Sequence, residues 1–182
     1  MKATGIVRRI DDLGRIVIPK EIRRTMRIRE GDPMEIFTSR EGEILLKKYS
    51  PVGELGEFAS SLAESMAQSL GELVCITDRD YVIAAVGPGK KEFEGKQIDV
   101  QMQSFIDHRG SIVGCGDKKN FVKVTPDDEK EYEKQAVTTI LCNGDCIGAV
   151  LIYAKKENLC GEETLKNLAK TAANFLGKQM EQ

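Results

Sequence analysis

Apolar and polar positions change period several times along the chain, and the changes mark out its elements. Residues 3–10 and 15–18 are rich in Ile and Val and read as short strands, joined by the turn formers Asp11-Asp12-Leu13-Gly14. A hairpin centred on Asp11–Asp12 would set Arg8 opposite Arg15. Pro19 then fixes φ for the first turn of a helix. A second hairpin follows, with strands over 34–39 and 44–49 around Arg40-Glu41-Gly42-Glu43. Past the helix-breaking Ser50-Pro51-Val52-Gly53 the spacing becomes helical. Val52, Leu55, Phe58, Ala59, Leu62, Ala63, Met66 and Leu70 form one stripe, which predicts a helix over 53–70. Leu165, Leu168, Ala169, Ala172, Phe175, Leu176 and Met180 predict another over 162–180. Between them, apolar runs at 73–77 and 81–87 flank Asp78-Arg79-Asp80. Runs at 136–142 and 146–153 flank Asn143-Gly144-Asp145, and the Asn-Gly step is a strong hairpin signal. Two long amphipathic helices bracketing hairpins make an α+β pattern with an antiparallel sheet. The acidic run at 127–131 after Thr125-Pro126 reads as a helix start, where carboxylates suit the dipole.

Charge divides the chain at the same place. Residues 1–29 hold nine Lys/Arg and three acids, 9 − 3 = +6, while the whole chain is −2, so the remainder carries −8. Such asymmetry points to an anionic partner for the basic end. Lys20, Arg23, Arg24 and Arg27 stand at i, i+3, i+4 and i+7, one face of a helix. Like charges at i, i+4 cost an isolated helix about 0.2–0.5 kcal/mol per pair, a cost that phosphate oxygens would offset. The basic helix lacks the broad apolar face and interfacial aromatics that membrane binding needs. Three parts result: a basic domain over 1–50, a short linker at 51–52 running into the helix, and a larger domain over 53–182. The basic domain has many apolar residues (among them Ile6, Val7, Ile10, Leu13, Ile16, Val17, Ile36, Phe37 and Ile44) and no disulfide or metal motif. So small a core predicts a dimer.

Several tempting motifs fail on spacing. Five residues separate Gly89 from Gly95 where a phosphate-binding loop has four, and Gln97 stands where a Ser or Thr would hold magnesium. Five cysteines (Cys75, Cys115, Cys142, Cys146, Cys160) and His108 include no C-x-x-C pair, so free thiols are expected and neither metal nor cofactor. His108, in Asp107-His108-Arg109-Gly110, reads as a solvated helix end, and no nucleophile is prepared beside it. No apolar stretch approaches a membrane span. A cytosolic protein without catalytic activity is expected.

The run KATGIVRRIDDLGRIVIPKEIRRTMRIREGDPMEIF, residues 2–37, closely resembles the swapped-hairpin DNA-binding domain of the AbrB-type transition-state regulators. The resemblance implies two copies interlacing their strands into one barrel-like dimer on double-stranded DNA. The family's DNA-contacting arginines map onto Arg8, Arg15, Arg23 and Arg24, with Arg9, Lys20 and Arg27 adding background attraction. No Asn or Gln on the basic helix suits adenine, so base readout would rest on arginine to guanine, with DNA shape contributing heavily. Residues 75–87 and 140–153 resemble the first hairpin and closing strands of GAF-type sensor modules. That implies a small-molecule ligand, dimerisation, or both, and apolar surface on Phe58, Leu62, Phe175 and Met180 would suit a tetramer. Taken over the whole chain, the resemblance implies a nucleoid-associated transcription regulator of late sporulation genes in the forespore. The alternative is an antitoxin-like or scaffold protein whose basic domain binds another protein; a folded domain in place of a short tail favours the regulator.

Overall fold

A computed structural model of the chain describes residues 5–115, 120–128, 132–155 and 160–181. The chain divides into two compact units, Met1–Tyr49 and Ser50–Gln182. The first holds one helix, α1 (Lys20–Thr25), and a hairpin of β1 (Met34–Thr38) and β2 (Ile44–Lys48), paired from Met34–Lys48 to Thr38–Ile44. Ser39 closes its turn, its hydroxyl accepting from the N–H groups of Glu41 and Glu43. The strands expected over 3–10 and 15–18 do not form among the described residues; 3 and 4 lie outside these.

The second unit begins in a helix, not a linker. α2 (Pro51–Glu54) starts with proline at its first position, where the missing N–H does no harm, and the Ser50 hydroxyl accepts from Gly53 N–H at 3.0 Å. The stripe expected as one helix over 53–70 is interrupted at Leu55 and continues as α3 (Gly56–Leu70), which Gly71 ends with φ at 69°. Then come β3 (Leu73–Thr77), β4 (Val82–Val86), α4 (Val100–Asp107), β5 (Ser111–Cys115), β6 (Lys134–Cys142), β7 (Asp145–Ala154) and α5 (Glu162–Gln179). The five strands form one antiparallel sheet in the order β4-β3-β7-β6-β5. Asn143 and Gly144 both have positive φ, 49° and 86°, the two-residue type I′ turn that the Asn-Gly step announced.

Both faces of the sheet are covered. Val74, Ile76, Ala136, Val150 and Ile152 pack against Ala59, Ala63, Leu165, Ala169 and Leu176 of α3 and α5. The alternate residues Leu73, Cys75, Val137, Leu151 and Tyr153 pack against Met102 and Ile106 of α4 and against Phe93, Ile98 and Val124. Strands buried on both sides read as continuous apolar runs, which is why 73–77 and 146–153 do. Residues 87–96, the failed phosphate loop, wrap the β4 edge instead: Val82 N–H donates to Lys96 C=O and Gly95 N–H to Val82 C=O. The expected helix start at 127–131 is a turn over its described part, closed by Asp128 N–H to Thr125 C=O at 3.0 Å. Asp128 spends its carboxylate on Val124 N–H and the Tyr153 hydroxyl, so it is not free to cap a helix; residues 129–131 lie outside the described ones.

Helix α5 approaches β6 so closely that a Cβ on Gly177 would stand 2.0 Å from the Leu141 carbonyl oxygen. In an open helix, Gly→Ala stabilises by about 1 kcal/mol. Gly177→Ala is expected instead to destabilise by about 1–3 kcal/mol, because backbone must move. Urea denaturation of the full chain checks this, and a gain in stability would show that α5 does not depend on that approach.

Candidate nucleic-acid interface

Asp11 organises the basic turn. Its Oδ1 accepts from Leu13 N–H at 3.0 Å and Arg15 N–H at 2.8 Å, and its Oδ2 accepts from Arg15 Nε at 2.7 Å. The Arg15 backbone N–H, then its guanidinium, hold the Asp11 carboxyl below the usual carboxylate range. Asp11 N–H also donates to Arg15 C=O at 3.1 Å, so the loop closes on Asp11 and Arg15. Arg8 therefore does not face Arg15, and the positive pairing expected there is replaced by an ion pair. The Arg15 side chain is still 69% exposed, which keeps it within reach of a ligand.

Helix α1 begins after Pro19, whose carbonyl accepts from Arg23 N–H at 3.0 Å. Glu21 in the first turn and Arg23 and Arg24 in the last suit the helix dipole. Lys20, Arg23 and Arg24 are exposed together on this helix. Arg27 is not part of their stripe. The helix ends at Thr25, and Arg27 takes a left-handed φ of 53° while Ile28 N–H returns to Arg23 C=O at 2.8 Å. This is the glycine position of a helix-ending motif occupied by arginine. Lys48 then ties β2 to that end, donating to Arg27 C=O at 3.1 Å and pairing with the buried Asp32 at 3.1 Å. Arg8 and Arg9 lie exposed in the segment before the turn. Arg8, Arg9, Arg23 and Arg24 have no acidic side chain within ion-pair distance among the described residues. The same unit exposes apolar side chains, with Val7 86%, Leu13 70%, Val17 73%, Ile36 68% and Ile44 62% accessible.

In the second unit, the α4 side of the sheet encloses a polar island. Tyr153 donates to Asp128 Oδ2 at 2.5 Å, stacks on Tyr132 with centroids 4.3 Å apart, and meets Phe93 at 5.4 Å. Gln135 holds the adjoining segment with both amide atoms, accepting from Val122 N–H at 2.7 Å and donating to Val122 C=O at 2.8 Å. Burial, then the Asp128 charge, pushes the Tyr153 hydroxyl well up; burial also pushes up the Cys75 thiol and the Tyr132 hydroxyl. Cys75 is therefore a protonated core residue near neutral pH, without thiolate character. Cys142 packs with the α3/α5 face and Cys146 with the α4 face, so the β6–β7 hairpin separates them. His108 caps the end of α4 in the open, its Nδ1 2.7 Å from the Ser104 carbonyl oxygen. Of the four residues expected as surplus apolar surface, Leu62 and Met180 pack against the core. Phe58 and Phe175 stay about 40% exposed and pair at 5.5 Å.

Four ties were not visible in sequence: Lys48–Asp32, Arg79–Asp107, Tyr153–Asp128 and Ser50–Asp78. Only the last has a local sign, the Asp78-Arg79-Asp80 turn, in which Asp78 Oδ1 accepts from Asp80 and Tyr81 N–H. No helix among the described residues is long and apolar enough to cross a membrane.

Comparison with known proteins accounts for both units. Residues 7–54 match the family model described as antidote-toxin recognition MazE, bacterial antitoxin. Residues 54–181 match that of the stage V sporulation protein T C-terminal, transcription factor. Stage V sporulation protein T of Bacillus subtilis (strain 168) is 52% identical over 182 residues, all of both chains. The transition state regulatory protein AbrB of the same organism is 59% identical over 51 residues, 28% of this chain and 52% of that one. The cofactor-binding GAF domain of the nutrient sensor CodY from Clostridium difficile superposes with a TM-score of 0.52 at 13% identity, covering 66% of this chain and 83% of that one. The fold of the second unit is thus that of a GAF domain. Matched along its whole length by one member and over most of it by the C-terminal model, the chain belongs to the stage V sporulation protein T family of transcription factors.

Proposed function

We propose that two copies of the N-terminal unit interlace and present Arg8, Arg15, Arg23 and Arg24 from both chains to double-stranded DNA. Arg9, Lys20 and Arg27 add background attraction. The observation that carries this reading is a set of exposed arginines, of which Arg8, Arg23 and Arg24 have no acidic partner among the described residues while Arg15 pairs with Asp11 and stays open, on a unit that also leaves its apolar side chains open. Phosphates offer the missing charge and a second copy the missing cover. Arginine forks also fit guanine edges in the major groove. The regulated genes are late sporulation genes of the forespore, the protein stays in the cytoplasm on the nucleoid, and it performs no catalysis. Its GAF domain senses a small molecule, and the exposed Phe58–Phe175 pair joins dimers into a tetramer.

The match of residues 7–54 to an antitoxin model favours one other reading, in which the basic unit chiefly binds a protein. Duplex binding by the chain alone separates the two. Replacing Arg23 or Arg24 with Ala is expected to weaken DNA binding by about 1–3 kcal/mol. Thermal stability should stay within about 0.5 kcal/mol, since neither side chain has an acidic partner among the described residues. Mobility shifts and melts on the same samples check this; lost folding with unchanged binding would make both residues structural.

Salt provides an independent check. A dimer that neutralises on the order of eight phosphates should lose log affinity against log salt with a slope of roughly −7. Titrations between low and moderate salt read the slope directly. A nearly flat line would exclude phosphate contact as the source of affinity.

A further inference from the structure

Ser50 is the first residue of the second unit, the point from which the chain runs back to the basic unit. Its hydroxyl is engaged twice. It accepts from Gly53 N–H at 3.0 Å, starting α2, and donates to Asp78 Oδ2 at 2.7 Å. Asp78 lies in the β3–β4 turn, 7% exposed, with its other oxygen accepting from Asp80 N–H at 2.7 Å and Tyr81 N–H at 2.6 Å. A carboxylate held on three sides is a fixed point. The next residue, Arg79, reaches out of the same turn to Asp107, the last residue of α4, at 2.7 Å. Four residues therefore join α4 to the root of the basic unit without a break.

We propose that Asp78 and Arg79 are positioning residues that couple α4 to the junction at Ser50, so that a displacement of α4 on the sensor side is felt where the DNA-binding unit is attached. The proposal rests on the sensor reading of the GAF domain and gives its mechanical output. A second observation marks the same spot. Thr77 Oγ1, directly before Asp78 and in a residue with 0% exposure, is buried without a hydrogen-bond partner among the described residues. So is Gln103 Nε2, one helical turn before Asp107 on α4. Buried polar atoms left unmatched are costly, and a shifted α4 that matches them is a state within reach. Both flank the Arg79–Asp107 link, so α4 can gain there what it lacks in the present position.

Spatial adjacency alone does not establish coupling, so the test measures it. Backbone hydrogen exchange is followed on the full chain at Gly53 and Glu54, whose N–H groups bond the Ser50 hydroxyl and carbonyl. Asp107→Ala should speed their exchange by about two- to five-fold, the size an exposed ion pair supports, with β6 and β7 unchanged. Arg79→Ala, cutting the same link from its other end, should do the same, and this second variant guards against local misfolding in the first. In a Ser50→Ala background the effect of Asp107→Ala should vanish, because coupled residues are not additive. Faster exchange confined to α4, or an equal effect in both backgrounds, would overturn the proposal. Duplex-DNA affinity is measured on the same proteins. A wild-type chain that ignores DNA would sink the regulator reading without touching the exchange result, so the two failures are distinct.

Discussion

The N-terminal unit cannot cover its own apolar side chains, and most of what the protein does follows from that deficit. Val7, Ile10, Leu13, Val17, Ile36 and Ile44 are each more than 60% exposed. Burying a side chain of this size is worth about 1.5–3 kcal/mol, so the six together leave on the order of 10 kcal/mol per chain unrealised. A second copy, as proposed, would supply that cover. The segments before and after the Asp11 turn form no strand among the described residues. Pairing two such units would also double a basic surface on which Arg8, Arg9, Arg23 and Arg24 have no acidic side chain within ion-pair distance among the described residues. Apolar deficit and charge excess are two halves of one interface argument: one asks for another copy, the other for an anionic polymer.

The second unit meets its needs internally. A five-stranded sheet buried on both faces by α3 and α5 on one side and α4 on the other leaves exposed apolar surface at Phe58, Tyr81, Val100, Leu141, Leu168 and Phe175. Its polar groups are spent on holding loops. Asp128 fastens the segment before β6 to Tyr153, Gln135 fastens Val122, and Asp78 fastens Ser50.

Much of this was legible in the sequence because local chemistry decided it. Asn143-Gly144 favours a type I′ turn, and the β-branched apolar runs at 73–77 and 136–142 favour strands. Arg23 and Arg24 stand where a 3.6-residue period puts them. Errors arose where a longer-range or backbone effect intervened. Arg27 leaves the basic stripe because the helix closes one turn early, with no glycine to announce the stop. Arg15 meets Asp11 instead of Arg8 because a carboxylate that caps a turn outcompetes register guesses. The linker expected at 51–52 is part of α2 because Ser50 caps Gly53 N–H and Pro51 takes the first helical position; what no pattern reveals is the bond from Ser50 to Asp78, 28 residues away. Leu62 and Met180 are partly buried against the core because a stripe shows which face is apolar but not how wide the neighbouring layer is.

The account turns on the claim that the N-terminal units complete one another. Sedimentation equilibrium of residues 1–50, across a concentration range, addresses it most directly. The account predicts a dimer whose cooperative melting point rises with concentration, as association requires. A folded monomer, melting cooperatively at the same temperature at every concentration, would contradict it.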